Sequence, residues 1–506
     1  MSSTSQQEQV VRYYSGWRVP KSFGIGRLST AQTAAVFAVG AGAVIIEMAA
    51  GLVWAFFMVA LCAALGAVSL IRDQHGTNFY DRRREMSAFR RARRRGANVY
   101  RSGPLGVDGR LGRAFRLPGI LASAGLTEHT DALERPFALV SHQDGRVTLV
   151  MEVSPYGRNQ THQEHINSLV GLWGAWLAGL SRQLGVTDAS VTVETSPDTG
   201  RRLRREMADD VSADSTPLAE RIVMDVVDST RESAVQVRTW VTVSFDTRQI
   251  SQASTRRARH AQAVRELASK APAITQTLAA HGGGAVHLAR AEEVIRLARV
   301  AYDPRSEILF EEAAAQGLAV DLGWHEAGPV SHEAVRDAYH HDSATSKVWL
   351  MSQAPAGRVR DTVLERILEP SPDVERKRFT MLYRPMPASK APGVVERDAD
   401  QADNRLATSK RPSARLRREA SQAQKATEEE ASGAALVDFG AVLTVTSTQA
   451  DSARALESTA AIVESMAASS HLLVRPAYGA QESAFALGLP LGVSPSRQSL
   501  VGRWAR

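Results

Sequence analysis

The stretch AQTAAVFAVGAGAVIIEMAAGLVWAFFMVALCAALGAVSLI, residues 31–71, holds forty-one residues and one charge, Glu47, near its middle. As a single helix it would be about 60 Å long, twice the ~30 Å hydrocarbon core of a bilayer. Divided at Glu47 and Gly51, it becomes two segments, each long enough for the roughly 20 residues a span requires. A carboxylate costs a few kcal/mol at a bilayer centre and little at the interface, so Glu47 and Gly51 are assigned to a turn. The sequence therefore predicts a two-helix transmembrane hairpin over residues 29–71.

Arg12, Arg18, Lys21 and Arg27 precede this hairpin; Arg72 and the run DRRREMSAFRRARRRGANVYR at 81–101 follow it. Short flanks rich in Lys and Arg stay cytoplasmic, and two spans return the chain to its starting side. The expectation is a multi-pass protein of a bacterial plasma membrane with both termini cytoplasmic. Residues 1–101 contain fourteen Lys/Arg against five Asp/Glu, whereas the remainder contains forty-seven against forty-nine. A body that gripped nucleic acid would need a basic face of its own, because phosphate neutralisation supplies most non-specific affinity. Direct nucleic-acid binding is therefore not expected. Arg72, Arg82, Arg83, Arg84, Arg90, Arg91, Arg93, Arg94 and Arg95 read instead as a lipid-facing basic anchor.

Beyond the N-terminal segment 1–28, the hairpin and a basic juxtamembrane linker over 72–134, alternating patterns define the body. PFALVSHQDGRVTLVMEVSP reads as two strands around a polar turn, and VQVRTWVTVSFD as a half-buried strand. HINSLVGLWGAWLAGLSRQL and EEVIRLARVAYDP read as helices, the latter ending before Pro304. A second block repeats the alternation, with SKVWLMSQAP, RKRFTMLYRPMP and FGAVLTVTST as strands and DSARALESTAAIVESMAAS as a helix. The predicted fold is α+β: two cytoplasmic ferredoxin-like sandwich lobes, 135–325 and 326–506. The polar stretch 394–433 favours helix and is expected as an exposed arm, kinked at Pro412.

No catalytic constellation emerges. GxxxxGK[ST] is absent, and HGGG at 281–284 has no GxSxG elbow to serve, so it reads as a turn between helix and strand. His162 and His165 form an isolated pair, and His325, His332, His340, His341 and Asp342 are only loosely grouped in sequence. No cofactor, no metal and no enzymatic activity are expected; the single Cys62 offers neither a disulfide nor a thiolate site.

Two stretches resemble known families. YYSGWRVPKSFGIGRLS before the apolar run resembles the PrgI-type membrane subunit of type IV secretion systems. FGAVLTVTST, DSARALESTAAIVESMAAS and LLVRPAYGAQESAFALGLPLG look like the N-terminal domain of the conjugative ATPase, without its motor domain. Considered whole, the chain is similar to actinobacterial two-span proteins of conjugative elements, sometimes grouped with EccE of type VII (ESX) secretion. The resemblance implies a membrane-anchored structural component that docks a separately encoded P-loop ATPase, contacts other secretion subunits and homo-oligomerises. Phe485, Leu487, Leu489 and Pro490 are then the candidate docking residues. The alternative from another class is a membrane-tethered enzyme with an unrecognised site.

Overall fold

A computed structural model describes residues 30–51, 79–102, 116–157, 161–201, 235–353, 357–409, 411–449 and 451–494, with a few isolated positions outside these ranges. Its frame is a single thirteen-stranded sheet in which every pairing is antiparallel. The strands are β1 (Val99–Arg101), β2 (Gly125–Thr130), β3 (Pro136–Ser141), β4 (Arg146–Ser154), β5 (Val186–Pro197), β6 (Val235–Asp246) and β7 (Ala285–Leu288). They continue as β8 (Ser331–Ala334), β9 (Tyr339–His341), β10 (Ala344–Gln353), β11 (Arg376–Pro385), β12 (Val437–Ser447) and β13 (Leu473–Pro476).

The sheet is built twice. In one half the order is β5-β6-β4-β3-β2 with β7 on β4; in the other it is β11-β12-β10-β9-β8 with β13 on β10. The halves join through β5 and β11, where Thr192 lies opposite Thr380 and their hydroxyls are 3.0 Å apart. An approximate two-fold axis through this pair relates one repeat to the other. Ala289 N–H donates to the Val150 carbonyl at 2.9 Å, and Ala477 N–H does the same to Val348 at 2.9 Å. The two expected ferredoxin-like sandwiches are thus halves of one continuous sheet. Each half pairs with the other because β5 and β11 would otherwise present unpaired, β-branched edges.

Alternation along the strands divides the apolar side chains between two faces. On one face Leu149, Val243 and Phe245 pack beneath α3 (Gln163–Arg182) and α4 (Arg256–Leu278). In the second repeat Trp349, Leu443 and Val445 pack beneath α9 (Ser452–Ser469). On the opposite face Val150, Val348 and Val442 share one cluster with α5 (Ala291–Tyr302) and α10 (Gln481–Leu487). That shared cluster cements the two repeats together.

Three sequence expectations need correction. Among the described residues no helix is long and apolar enough to cross a membrane, which overturns the two-span hairpin and the plasma-membrane location built on it. α1 (Thr30–Ala50) carries exposed Glu47 near its C-terminal end. The turn itself is present: Gly51 takes φ +90° and donates to the Glu47 carbonyl at 3.0 Å, and a side chain at Gly42 would reach Met58, 3.7 Å away.

The polar arm is also different from a kinked rod. It is a helical hairpin, α7 (Ala391–Thr408) and α8 (Ala414–Ala431), folded back over residues 409–413. Pro412 disfavours helix in the residue before it, and the Ser413 hydroxyl accepts from Leu416 N–H to start the second helix. Buried Ala402 and Ala420 allow the two helices to approach.

The third correction concerns Phe485, Leu487, Leu489 and Pro490, all of which are buried. Phe485 lies among the rings of Tyr302, Tyr339 and His341, with centroids 4.9–5.2 Å away. These residues hold the repeats together and are not presented to a partner.

A charged knot lies beside the junction. The Glu194 carboxylate accepts from Arg376 Nη1 and Arg378 Nε, both at 2.7 Å, and Arg376 Nη2 also donates to Glu307 at 2.7 Å. The two arginines hold the Glu194 carboxyl below its usual range despite full burial, which alone would raise it. Glu194→Gln should destabilise the fold by about 3–5 kcal/mol, because Arg378 is left with an uncompensated buried charge. Chemical denaturation measures this, and Glu194→Leu combined with Arg378→Met should recover most of the loss.

Candidate docking cleft and the polar interior

Across the sheet from α5 and α10, one broad cleft of about 3010 Å³ opens between α3, the ends of β11 and β12, and the α7–α8 hairpin. The floor is aromatic and aliphatic. Trp173 stacks on Trp176 with centroids 4.6 Å apart and meets Tyr383 edge-on at 6.1 Å. Burial pushes the Tyr383 hydroxyl up to about 12 even with a hydrogen bond from the Trp173 side chain. The rim is charged in both signs, with Arg397, Asp398 and Asp400 from α7 and Glu419, Glu429 and Glu430 from α8.

The wall contributed by α3 is unusually bare. Gly174 lines it, exposed in the helix interior, and a Cβ added there would meet nothing within 4 Å; Gly171, which does not line the cleft, is equally open. An interior helical glycine costs about 0.5–1 kcal/mol relative to alanine. Among the described residues nothing fills the space those side chains would take. At the cleft's other end, Tyr14 forms a two-way backbone bridge with Val359, 2.8 Å in each direction.

The second polar feature is a matched pair of buried histidines. His142 Nε2 is 3.3 Å from Thr148 Oγ1, which is 2.8 Å from Ser244 Oγ. In the other repeat His341 Nε2 is 2.8 Å from Ser346 Oγ, which is 2.7 Å from Thr446 Oγ1. The elements that close each network are exchanged. His341 Nδ1 donates to the Tyr302 carbonyl at the end of α5, and His142 is hydrogen-bonded to the Leu491 backbone beyond α10. Gly492 follows with φ +71°; a Cβ there would lie 2.1 Å from Thr148 Oγ1, so only glycine lets the segment close on the network.

His332 lies beside this second network, its ring 5.1 Å from Tyr339 and its Nε2 4.0 Å from Glu482. Desolvation lowers His332 to about 4 and raises Glu482 to about 7, so both are neutral between those values. The 4.0 Å contact is therefore better read as neutral groups in proximity than as an ion pair.

The remaining sequence candidates are scattered. Arg82, Arg83, Arg84, Arg90, Arg91, Arg93 and Arg94 are exposed on α2 (Phe79–Arg94), with Arg95 exposed just after it. Arg72 lies outside the described residues. His162 precedes α3 and His165 occupies its first turn. The HGGG segment turns α4 into β7, where a Cβ on Gly284 would strike the Ser154 carbonyl at 2.1 Å. Among the described residues no group of three His, Cys, Asp or Glu side chains could hold a metal ion. Sequence reasoning missed Gly171, Gly174 and the histidine pair; two glycines three apart inside a helix were the available signal for the first.

Residues 21–81 match the model of a family described as a domain of unknown function (DUF8461), a span that includes α1 and the start of α2. No curated protein matches the chain.

Burial lowers His142, His332 and His341 to about 4, from an ordinary 6.5. Between those values the unfolded chain binds more protons at these sites, so stability falls as pH drops from about 6.5 toward 4. Glu482, raised to about 7 from 4.5, acts in the opposite direction, as do raised His287 and Asp342, whereas Asp131, Asp144, Glu194 and Glu293, all lowered, act with the buried histidines. Urea midpoints measured from pH 7 to pH 4 should decline steeply, and His142→Gln combined with His341→Gln should flatten that decline.

Proposed function

We propose that this chain is a non-enzymatic assembly component whose cleft receives a helix from a partner protein, the partner being the P-loop ATPase of a conjugation- or secretion-type machine. The observation that carries the docking reading is the cleft itself. Small-molecule sites usually enclose about 300–1,000 Å³, whereas this one holds about 3010 Å³. Such a space suits a polypeptide segment. The apolar floor offers burial to one face of an amphipathic helix, and the mixed rim offers charge partners to the other.

The bare wall of α3 adds direction. Glycines that weaken a helix without an internal role are accounted for by the close approach of another backbone. Exposed apolar side chains on α1 and just beyond it support assembly too: Phe37, Trp54, Phe56 and Phe57 are each at least 65% exposed. Large exposed apolar surface marks an interaction site. The ATPase as partner rests on the resemblance of residues 439–492 to that family's N-terminal domain.

Co-purification with the P-loop ATPase encoded at the same locus tests this reading. Gly174→Leu should reduce capture at least tenfold by filling the wall. Gly174→Ala should retain capture and stabilise the fold by about 0.5–1 kcal/mol. Undiminished capture by Gly174→Leu, or a wild-type chain that binds no such ATPase, contradicts the proposal.

A further inference from the structure

The geometry of α2 points to a second interaction surface: we infer that this helix docks along the phosphate backbone of duplex nucleic acid. Among the described residues one edge of the helix is seated on the protein. The Glu85 carboxylate accepts two hydrogen bonds from Arg475, at 3.0 and 2.6 Å, and fixes the helix against β13. One turn further, Phe89 packs on Gly479, where φ is +72° and a Cβ would lie 3.0 Å from the Phe89 Cβ. Glu85, Phe89 and half-buried Ala92 share one helical face.

The arginines occupy the rest of the circumference. All eight from Arg82 to Arg95 are exposed, and among the described residues none is ion-paired; Arg83 alone has a ring partner, Phe79. The only acidic residues on the helix are Asp81, at its first turn, and Glu85, which is consumed by Arg475. Seven of the eight stand on the helix and Arg95 immediately follows it, so their backbone attachment points are fixed before any ligand arrives.

That spacing suits a duplex. From Arg82 to Arg94 the helix rises about 18 Å. A duplex carries one phosphate per ~1.7 Å of its axis, so about ten phosphates lie alongside that length. Arginine forks hydrogen-bond phosphate oxygens in pairs, and such contacts position a protein without reading sequence. An anionic lipid surface is the competing polyanion. A helix that lies in a bilayer interface buries an apolar face about 5–10 Å deep. Here the apolar face, with Phe89, is turned onto the protein. The exposed circumference is cationic, which favours the aqueous polyanion. The near-neutral charge of residues 102–506 does not oppose this, because eight of the fourteen Lys/Arg in residues 1–101 are concentrated on or beside α2.

The test uses the full chain and a labelled 24-base-pair duplex of arbitrary sequence, titrated by fluorescence anisotropy between 50 and 200 mM salt. Binding should weaken steeply with salt and be indifferent to sequence. The variant with Arg90, Arg91, Arg93 and Arg94 all changed to Gln should bind at least tenfold more weakly, with a salt slope shallower by about 3.6. Arg257→Gln with Arg265→Gln, on the exposed side of α4, should leave both quantities unchanged and shows that lost charge alone is not the cause. Circular dichroism establishes that each variant is folded. Absence of duplex binding by the wild-type chain overturns the inference. So does an unchanged slope in the quadruple variant, or binding confined to vesicles of anionic phospholipid.

Discussion

The pairing of β5 with β11 is the constraint on which this molecule depends. Each repeat alone would leave a long β-branched strand with one unpaired edge, an arrangement that invites uncontrolled association. Joined, the two strands continue the hydrogen-bond ladder through the middle of the sheet, from Lys377 opposite Thr195 to Tyr383 opposite Ala189. One consequence is a shared core on one face, where α5 and α10 reach across the junction. Another is that the other face stays divided, with a separate cluster beneath each repeat's own helices. The cleft lies on that divided face. The first repeat contributes α3, and the second contributes the ends of β11 and β12 and the helical hairpin α7–α8.

The junction is also where polar groups enter the interior. Glu194, Arg376, Arg378 and Glu307 form a buried charged knot at one end of the β5–β11 pair. At the other end Arg146 is fully buried against Asp144 at 2.8 Å and donates to the Gly492 carbonyl. Such networks contribute little net stability compared with apolar packing, yet they penalise any misregister heavily. A slip of β5 against β11 by one residue would turn Glu194 away from both arginines and reverse every side chain on the strand. The exchanged closures at His142 and His341 act similarly. Each network is completed only when the other repeat's last helix is in place.

Much of the local structure was legible. The alternation of VQVRTWVTVSFD and FGAVLTVTST marks β6 and β12, and the polar turn HQDG marks the hairpin between β3 and β4. The tandem repeat was not legible, because the residues that match across it are Val, Ala, Thr and Ser, which any strand can carry. His142 and His341 are the exception, but histidines 199 positions apart carry no spacing signal without the fold. Register between β5 and β11 depends on a charged knot assembled from three distant segments. The apolar run 31–71 misled for a different reason: hydropathy reports what side chains avoid, not which surface receives them. ALGLPLG was misread likewise, since the same apolar character that suits a docking motif suits a core.

If β5 and β11 make one cooperative body of two repeats, hydrogen exchange should reveal it most directly. Amides of β5 and β11 should exchange only through global unfolding, with the same free energy and denaturant dependence as the central strands β4 and β10. Exchange of β8–β13 at a lower free energy, while β2–β7 stay protected, would show two independently opening units and contradict the account.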